Sequence, residues 1–190
     1  VIDLHNSIRS RFVTLNLGVR SKRYFKSNFK KWLLIQFGID ILDNSHVVDR
    51  YMKSIYSLGV KNDNKGLDYF LPSDINLEFN TKQKFIAWNI GASYIYKKLP
   101  FKTILEACED IAEPIVLLGG QGDVELGQKI KKQSVKQNIF NFCGELSLSE
   151  SAYLVNHCSL LLTNDSGLMH IGAAFKKCII SFWGCTKPSL

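Results

Sequence analysis

From residue 85 onward, short apolar runs alternate with segments whose apolar residues recur at helical spacing. Strands are predicted at residues 85–90, 114–118, 138–143, 160–163 and 178–182, and helices between them at 101–111, 123–133, 148–158 and 166–175. Pro100 suits a first helical turn, and Ser147 with Glu150 forms a capping box before the third of these helices. Such alternation predicts an α/β fold, a parallel sheet with helices on both faces.

Each predicted strand is followed by a turn rich in glycine or other small residues. These turns are residues 91–93, 119–123, 143–145, 164–167 and 184–186. In a parallel sheet, ligands bind outside the carboxyl ends of the strands. Tight strand-to-helix geometry is enough to explain glycine in any single turn, but the whole set at one edge favours a cleft for a nucleotide phosphate.

The stretch from Leu160 to His170 combines an apolar strand, a polar turn and the start of a helix. A helix that begins at Ser166 and Gly167 leaves its first N–H groups unpaired, which makes its positive end an anion site. Ser166 adds a hydroxyl, Gly167 permits close approach to the backbone, and His170 lies one turn later on the same face. The local pattern equally allows Asp165 or Ser166 to cap the helix and His170 to be a core histidine.

The sequence lacks the residue spacing of other common cofactor, nucleotide and metal sites. Glu125 stands where the third glycine of a dinucleotide fingerprint should be, and there is no Walker loop. No His-x-x-x-His pair or Cys/His cluster offers a metal site. The cysteines are odd in number and lack Cys-x-x-Cys spacing, which predicts buried thiols in a reducing compartment. The apolar runs are too short to span a bilayer.

Upstream of residue 80 the pattern is less regular. Strands are predicted at residues 1–4 and around 23–25, and helices at 7–17, 29–37 and 46–58, the last ending at Gly59. The first helix has Ile8, Phe12 and Leu15 on its apolar side. A polar stretch before residue 85 predicts two domains, residues 1–80 and 81–190. The chain opens without methionine inside an apparent core strand, so we expect a fragment.

The net charge is +7, and the excess is concentrated between His5 and Ile39, where eight arginines and lysines occur without an acidic residue. Such a stretch favours an anionic partner. Nucleic acid, a phosphorylated lipid and an ordinary solvated helix surface all remain open at this point.

The motifs together resemble the glycosyltransferase family 9 domain of the ADP-heptose:lipopolysaccharide heptosyltransferases. The similar stretches, in order, are residues 115–123, 141–148, 161–170, 172–174 and 182–184 of the carboxyl-terminal domain. Asn89 to Ser93, followed by Lys97 to Pro100, resembles the family's stretch in which a hydroxyl residue and a lysine precede a Trp-Pro pair. Residues 2–9 resemble the family's amino-terminal domain at mid-length. Asp-Ser-Gly-x-x-His is the most specific of these motifs.

The resemblance implies a GT-B fold, two Rossmann-like lobes with the active site between them. Residues 1–80 would be an incomplete acceptor-side lobe, and residues 81–190 the nucleotide-sugar lobe. It implies an inverting, metal-independent transfer of heptose from ADP-heptose to a lipopolysaccharide core acceptor, with no cofactor besides the donor. The general base is expected upstream of residue 1, so the fragment alone should be inactive; Asp3, in a later strand, is not that base.

Carried over by position, the donor-binding residues are Ser93, Lys97, Asp165, Ser166, Gly167, Leu168 and His170. Ser93 and Lys97 would face the diphosphate, with Asp165 near the sugar or the motif's own hydrogen bonds. Without the resemblance, Lys97 is equally a solvated surface lysine. Leu99 replaces the family's Trp, and the acid after the Gly-Gly pair aligns nearer Gln121 than Asp123, so a ribose or sugar contact there stays open.

The resemblance also implies a partner for the basic run, an anionic lipopolysaccharide or lipid acceptor. Arg9 and Arg11 are the candidate residues on this acceptor side. The expected location is cytoplasmic, peripheral on the cytoplasmic face of the inner membrane. Two alternatives remain: a different GT-B enzyme that uses a UDP-sugar, and a basic nucleic-acid-binding module. The second lacks interleaved stacking aromatics and any RNA-binding motif, so we expect no nucleic-acid partner.

Overall fold

The computed structural model describes residues 1–39, 41 and 47–184, without the side chains of Lys31 and Val47. The chain divides between Lys65 and Gly66 into two compact units, here called unit 1 and unit 2. The boundary predicted near residue 80 lies inside unit 2.

Unit 1 combines a two-stranded parallel sheet with short helices. Its elements are β1 (Ile2–Asp3), α1 (Ile8–Asn16), β2 (Lys22–Arg23), α2 (Asn28–Phe37) and α3 (Val47–Lys53). A 3-10 turn (Tyr56–Leu58) follows, and Gly59 ends it with φ of 78°. The predicted elements are therefore present, although the helix predicted over 46–58 is broken after Lys53, and its first residue, His46, lies outside the described residues.

The burial predicted for unit 1 is wrong. Ile8, Phe12 and Leu15, the apolar stripe of α1, are 89%, 69% and 73% exposed, whereas Thr14 is buried. In β1 the buried residue is Asp3, whose carboxylate accepts hydrogen bonds from the backbone N–H groups of His5 and Asn6 and from the Ser10 hydroxyl. Among the described residues, the two-stranded sheet of unit 1 does not cover this stripe.

Unit 2 is the α/β unit that the alternating pattern predicts. Its strands are β3 (Ile86–Asn89), β4 (Ile115–Leu118), β5 (Ile139–Asn141), β6 (Leu160–Asn164) and β7 (Ile179–Phe182). Its helices are α4 (Phe101–Asp110), α5 (Val124–Gln133), α6 (Leu148–His157) and α7 (Gly167–Ala174). The capping box is present: the Ser147 hydroxyl accepts from the Glu150 N–H, and the Glu150 carboxylate accepts from the Ser147 N–H. In the part of the chain that is described, no helix is long and apolar enough to cross a membrane.

All five strands of unit 2 are parallel, in the order β5-β4-β3-β6-β7. Side chains alternate between the two faces, so Trp88 joins a buried cluster with Ile104 of α4. On the opposite face, Phe85 clusters with Leu154 of α6. Helices therefore cover both faces, as predicted. The chain moves outward from β3 in one direction through β4 and in the other through β6, so the order reverses between β3 and β6.

The cysteines mostly behave as predicted. Cys108, Cys143 and Cys158 are free and buried. Burial raises the pKa of the Cys143 thiol to about 12 and that of the Cys108 thiol to about 11, which keeps both protonated. The prediction is wrong for Cys178, which is exposed, and Cys185 lies outside the described residues.

The Asp123 carboxylate connects the turns that follow β3 and β4. Its Oδ2 accepts from the Gly120 N–H at 2.9 Å, and its Oδ1 pairs with the Lys98 ammonium at 2.5 Å. A Cβ at Gly91 would lie 2.4 Å from Asp123 Oδ2, and one at Gly119 would lie 2.7 Å from Asp123 Cβ. The turns therefore need glycine because they close around this one buried side chain.

We predict that Asp123→Ala lowers the free energy of unfolding of the intact protein by about 3 kcal/mol, because Lys98 and the Gly120 N–H lose their buried partner. Urea unfolding measures the change. The matched control is Glu113→Ala, which breaks the exposed Lys84–Glu113 pair (3.2 Å) and should leave stability nearly unchanged. Equal losses in the two variants would contradict the proposed role of Asp123.

Candidate functional site at the carboxyl edge of the sheet

The point at which the strand order reverses brings two strand ends together. Asn89 at the end of β3 is in register with Thr163 of β6, and both side chains are buried. Because the connections from these strands lead to opposite sides, the sheet leaves a crevice between them, where ligands of such sheets bind.

A hydrogen-bond network links these strand ends to the start of α7. The Asn89 side-chain amide donates to Ser166 Oγ at 2.7 Å and to Thr163 Oγ1 at 3.2 Å. Ser166 precedes α7 in an extended conformation, and its side chain makes no capping hydrogen bond to the helix. Ser166 therefore occupies the N-cap position of α7 without capping the helix through its hydroxyl, which accepts from Asn89 instead.

Beneath this network lies Asn164, which is 1% exposed. Its side-chain amide donates to the backbone oxygens of Ile90 at 3.0 Å and Gly91 at 3.3 Å. These bonds fasten the chain that leaves β3 to the end of β6. The crevice floor is thus built from side-chain amides that bridge two strands.

Lys97 and Asp165 form a largely buried ion pair at the same edge. Lys97 Nζ lies 2.5 Å from Asp165 Oδ2, and the two side chains are 19% and 15% exposed. Lys97 is therefore not a solvated surface lysine, the interpretation that the sequence had left open. Its backbone is fixed by Gly184 after β7, where a Cβ would lie 2.1 Å from the Tyr96 carbonyl oxygen.

The start of α7 is open. Apart from the adjoining residues and the backbone of α7 itself, no atom of the described residues lies within 4 Å of the position that a Cβ of Gly167 would occupy. The Leu168 side chain packs against the core, so the donor contact predicted for it would belong to its backbone N–H. His170 is exposed, and the alternative of a core histidine is therefore wrong. Unpaired N–H groups and the helix dipole give this end of α7 a positive potential.

The remaining predicted site residues lie on the surface. Ser93 is exposed in the turn after β3. Arg9 and Arg11 are exposed on α1, and Arg11 Nε donates to Asn6 Oδ1 at 2.9 Å. The donor contacts of Ser93 and His170 and the acceptor contacts of Arg9 and Arg11 stay predictions.

Two residues of this edge, Asn89 and Lys98, were not identified as site residues from the sequence, and the role of Asp123 was left open. The available signal was a polar side chain at the end of a buried strand or in its turn, but only the strand order shows which of these turns are neighbours. Asp123 is committed to Lys98 and Gly120, whereas Gln121 is exposed and donates to the Gly144 oxygen. The family's acidic residue after the Gly-Gly pair could correspond to Gln121 or to Asp123. Of these two, only Gln121 lies on the surface.

Within the described ranges, no three His, Cys, Asp or Glu side chains come together in the manner of metal ligands. The chemistry that the site displays is that of an ammonium paired with a carboxylate, an oriented hydroxyl and an open helix start. Such a set can bind and stabilise a phosphate-bearing anion.

Comparison with known proteins agrees with this fold. The pattern of glycosyltransferase family 9 (heptosyltransferase) matches residues 1–190. Lipooligosaccharide heptosyltransferase 2 of Haemophilus influenzae is 26% identical over 215 residues, covering 98% of this chain and 60% of that protein. The chain thus spans about 60% of the length of the curated relatives it matches.

Solved structures share the fold. A glycosyl transferase family 9 protein from Veillonella parvula superposes with a TM-score of 0.76 at 23% identity, covering 100% of this chain and 59% of that one. The E. coli ADP-heptose lps heptosyltransferase II gives a TM-score of 0.74 at 21% identity, covering 100% and 63%. The predicted α/β fold of the GT-B class is confirmed, and the chain belongs to glycosyltransferase family 9, the heptosyltransferase family.

Proposed function

We propose that the intact protein transfers heptose from ADP-heptose to a lipopolysaccharide core acceptor, with inversion at the sugar carbon and without a metal ion. The observation that carries the proposal is the Lys97–Asp165 pair beside the start of α7, at the switch point of a parallel sheet. The names of a relative and of a solved structure, a lipooligosaccharide heptosyltransferase and an ADP-heptose heptosyltransferase, support the same activity.

In the proposed reaction, an acceptor hydroxyl attacks the sugar carbon that bears the diphosphate, and the bond to the diphosphate oxygen breaks on the opposite face. ADP departs with the bonding electrons, and a base takes the hydroxyl proton. We assign no residue of this chain as that base. Asp3 is a poor candidate, because the Asn6 N–H above all, and also Ser10, hold the pKa of its carboxyl below its usual value.

Negative charge grows on the departing diphosphate, and three groups of unit 2 would stabilise it: the Lys97 ammonium, the Ser166 hydroxyl and the first N–H groups of α7. Ser166 Oγ accepts from Asn89 and lies 3.3 Å from Thr163 Oγ1, so a bound phosphate oxygen would compete with Thr163 for the Ser166 proton. Asp165 would orient the ammonium. These fixed donors are the reason that we propose transfer without a metal ion.

The acceptor half of the proposal concerns unit 1. The excess of cations on its surface, Arg9 and Arg11 included, would face an anionic lipopolysaccharide at the cytoplasmic side of the inner membrane. Exposed charges are screened by salt, so acceptor binding should weaken steadily as ionic strength rises. Binding assays across a salt series test this half, and an unchanged affinity would contradict it.

The donor half is tested by thermal shifts of the intact protein with nucleotide sugars. We expect ADP-heptose to raise the melting temperature, with the same rise in the presence of EDTA, because the donors are protein groups. Stabilisation by a UDP-sugar alone would favour the alternative GT-B enzyme. A shift that EDTA abolishes would contradict metal independence.

The site itself needs a probe that does not disturb folding. Removing Lys97 would leave the largely buried Asp165 without its ammonium partner, so lost activity could reflect lost stability. Gly167 offers a cleaner test, because a methyl group there meets no atom of the other described elements within 4 Å. A diphosphate at the helix start would meet it.

We predict that Gly167→Ala leaves the melting temperature unchanged and weakens ADP binding about tenfold, a loss of roughly 1.4 kcal/mol. Calorimetry measures the binding. Gly122→Ala is the matched control, since a Cβ at Gly122 also meets nothing within 4 Å but lies in the β4–α5 turn. If both variants bind ADP as the native protein does, the diphosphate does not lie at the start of α7.

A further inference from the structure

We propose that unit 1 contains its own binding site for a phosphomonoester group. The site is a cavity of about 270 Å³ between the β2–α2 connection and α3. Its polar lining consists of Arg23, Lys30, Arg50, Lys53, Ser27 and Ser54. Among the described lining residues none is acidic, and Arg23, Lys30 and Arg50 supply positive charge that favours an anion.

Arg50 is the observation that most favours an anionic ligand here. Its Nε is buried and has no hydrogen-bond partner in the part of the chain that the structure describes. A buried donor on a charged group is costly to leave unpaired, and a phosphate oxygen is the acceptor that a guanidinium binds best. Arg23 is held in place, since its Nη2 donates to the buried Thr14 hydroxyl at 3.1 Å.

The start of α2 adds a second source of positive potential. Ser27 immediately precedes this ten-residue helix, lines the cavity, and makes no side-chain capping bond. The first turn of α2 also carries Lys30, another lining residue. A helix start, a lysine and two arginines around one cavity form the combination that proteins use for phosphate.

Among the described residues of unit 1, Asp3 and Asp49 do not line this cavity. Asp3 is close enough for Arg23 to affect its pKa, but its carboxylate oxygens already accept from His5, Asn6 and Ser10. Asp49 of α3 lines a different cavity, with Tyr56 and Lys61.

The phosphate could belong to a soluble sugar or to a lipid headgroup, and the test separates them. Inorganic phosphate and glucose 1-phosphate probe the soluble source, while phosphatidylcholine vesicles with and without phosphatidic acid probe the lipid source. Binding is measured on the intact protein without any nucleotide sugar. The result therefore stands even if the proposed transfer reaction is wrong.

We expect saturable binding in at least one arm, weakened about tenfold or more by Arg50→Gln, which removes the charge-assisted hydrogen bonds. Lys30→Gln should also weaken it, and serves if Arg50→Gln does not fold. Lys22→Gln is the matched control: it removes an equal charge from an exposed residue of β2 outside the cavity lining. The arm that responds to these variants identifies the source of the phosphate.

Three results would overturn the proposal. The first is no saturable binding of any phosphomonoester probe by the native protein. The second is an equal loss of binding in Lys22→Gln and in the cavity variants, which would indicate a diffuse basic surface. The third is tighter, cavity-independent binding of a DNA oligonucleotide at the same ionic strength, which would indicate a nucleic-acid surface instead.

Discussion

The hydrogen bond from Asn89 to Ser166 joins residues 77 positions apart in the chain, and the donor site depends on it. It exists because β3 and β6 are neighbours at the point where the strand order reverses. The same adjacency allows Lys97 to reach Asp165, 68 positions away. If these two strands were not paired, the polar turn after β6 would be only a helix start, with neither an ammonium nor an oriented hydroxyl beside it.

The segment that carries Lys97 has little regular structure of its own, only a single 3-10 turn (Ile95–Lys97). Its position is fixed from outside: Asp123 binds Lys98, Asp165 binds Lys97, and Gly184 packs against the Tyr96 carbonyl. Three contacts from three different strand ends are a form of preorganisation, since the ammonium is already positioned before a ligand arrives. Glycine at 91 and 184 follows from this arrangement.

Most of unit 2 was predictable from the sequence. Short apolar runs indicate strands whose two faces are both covered, and apolar residues at helical spacing indicate the helices that cover them. The Lys98–Asp123 pair was not predictable, because it depends on which strand-to-helix turns are adjacent. In unit 1 the spacing of Ile8, Phe12 and Leu15 correctly predicts a helix but not its burial. Periodicity shows that a helix has an apolar stripe; it does not show which surface covers that stripe.

The two units use positive charge differently. At the edge of the sheet in unit 2, Lys97 and Lys98 are each paired with a carboxylate, so the local charge is nearly balanced. Anion recognition there would depend on the direction of a few fixed donors, which salt screens weakly because they are largely buried. The cavity in unit 1 has cationic lining and no described acidic lining residue. Anion recognition there would depend mainly on net positive charge. Unit 2 would therefore select a phosphate by the direction of its donors, whereas unit 1 would attract it by charge.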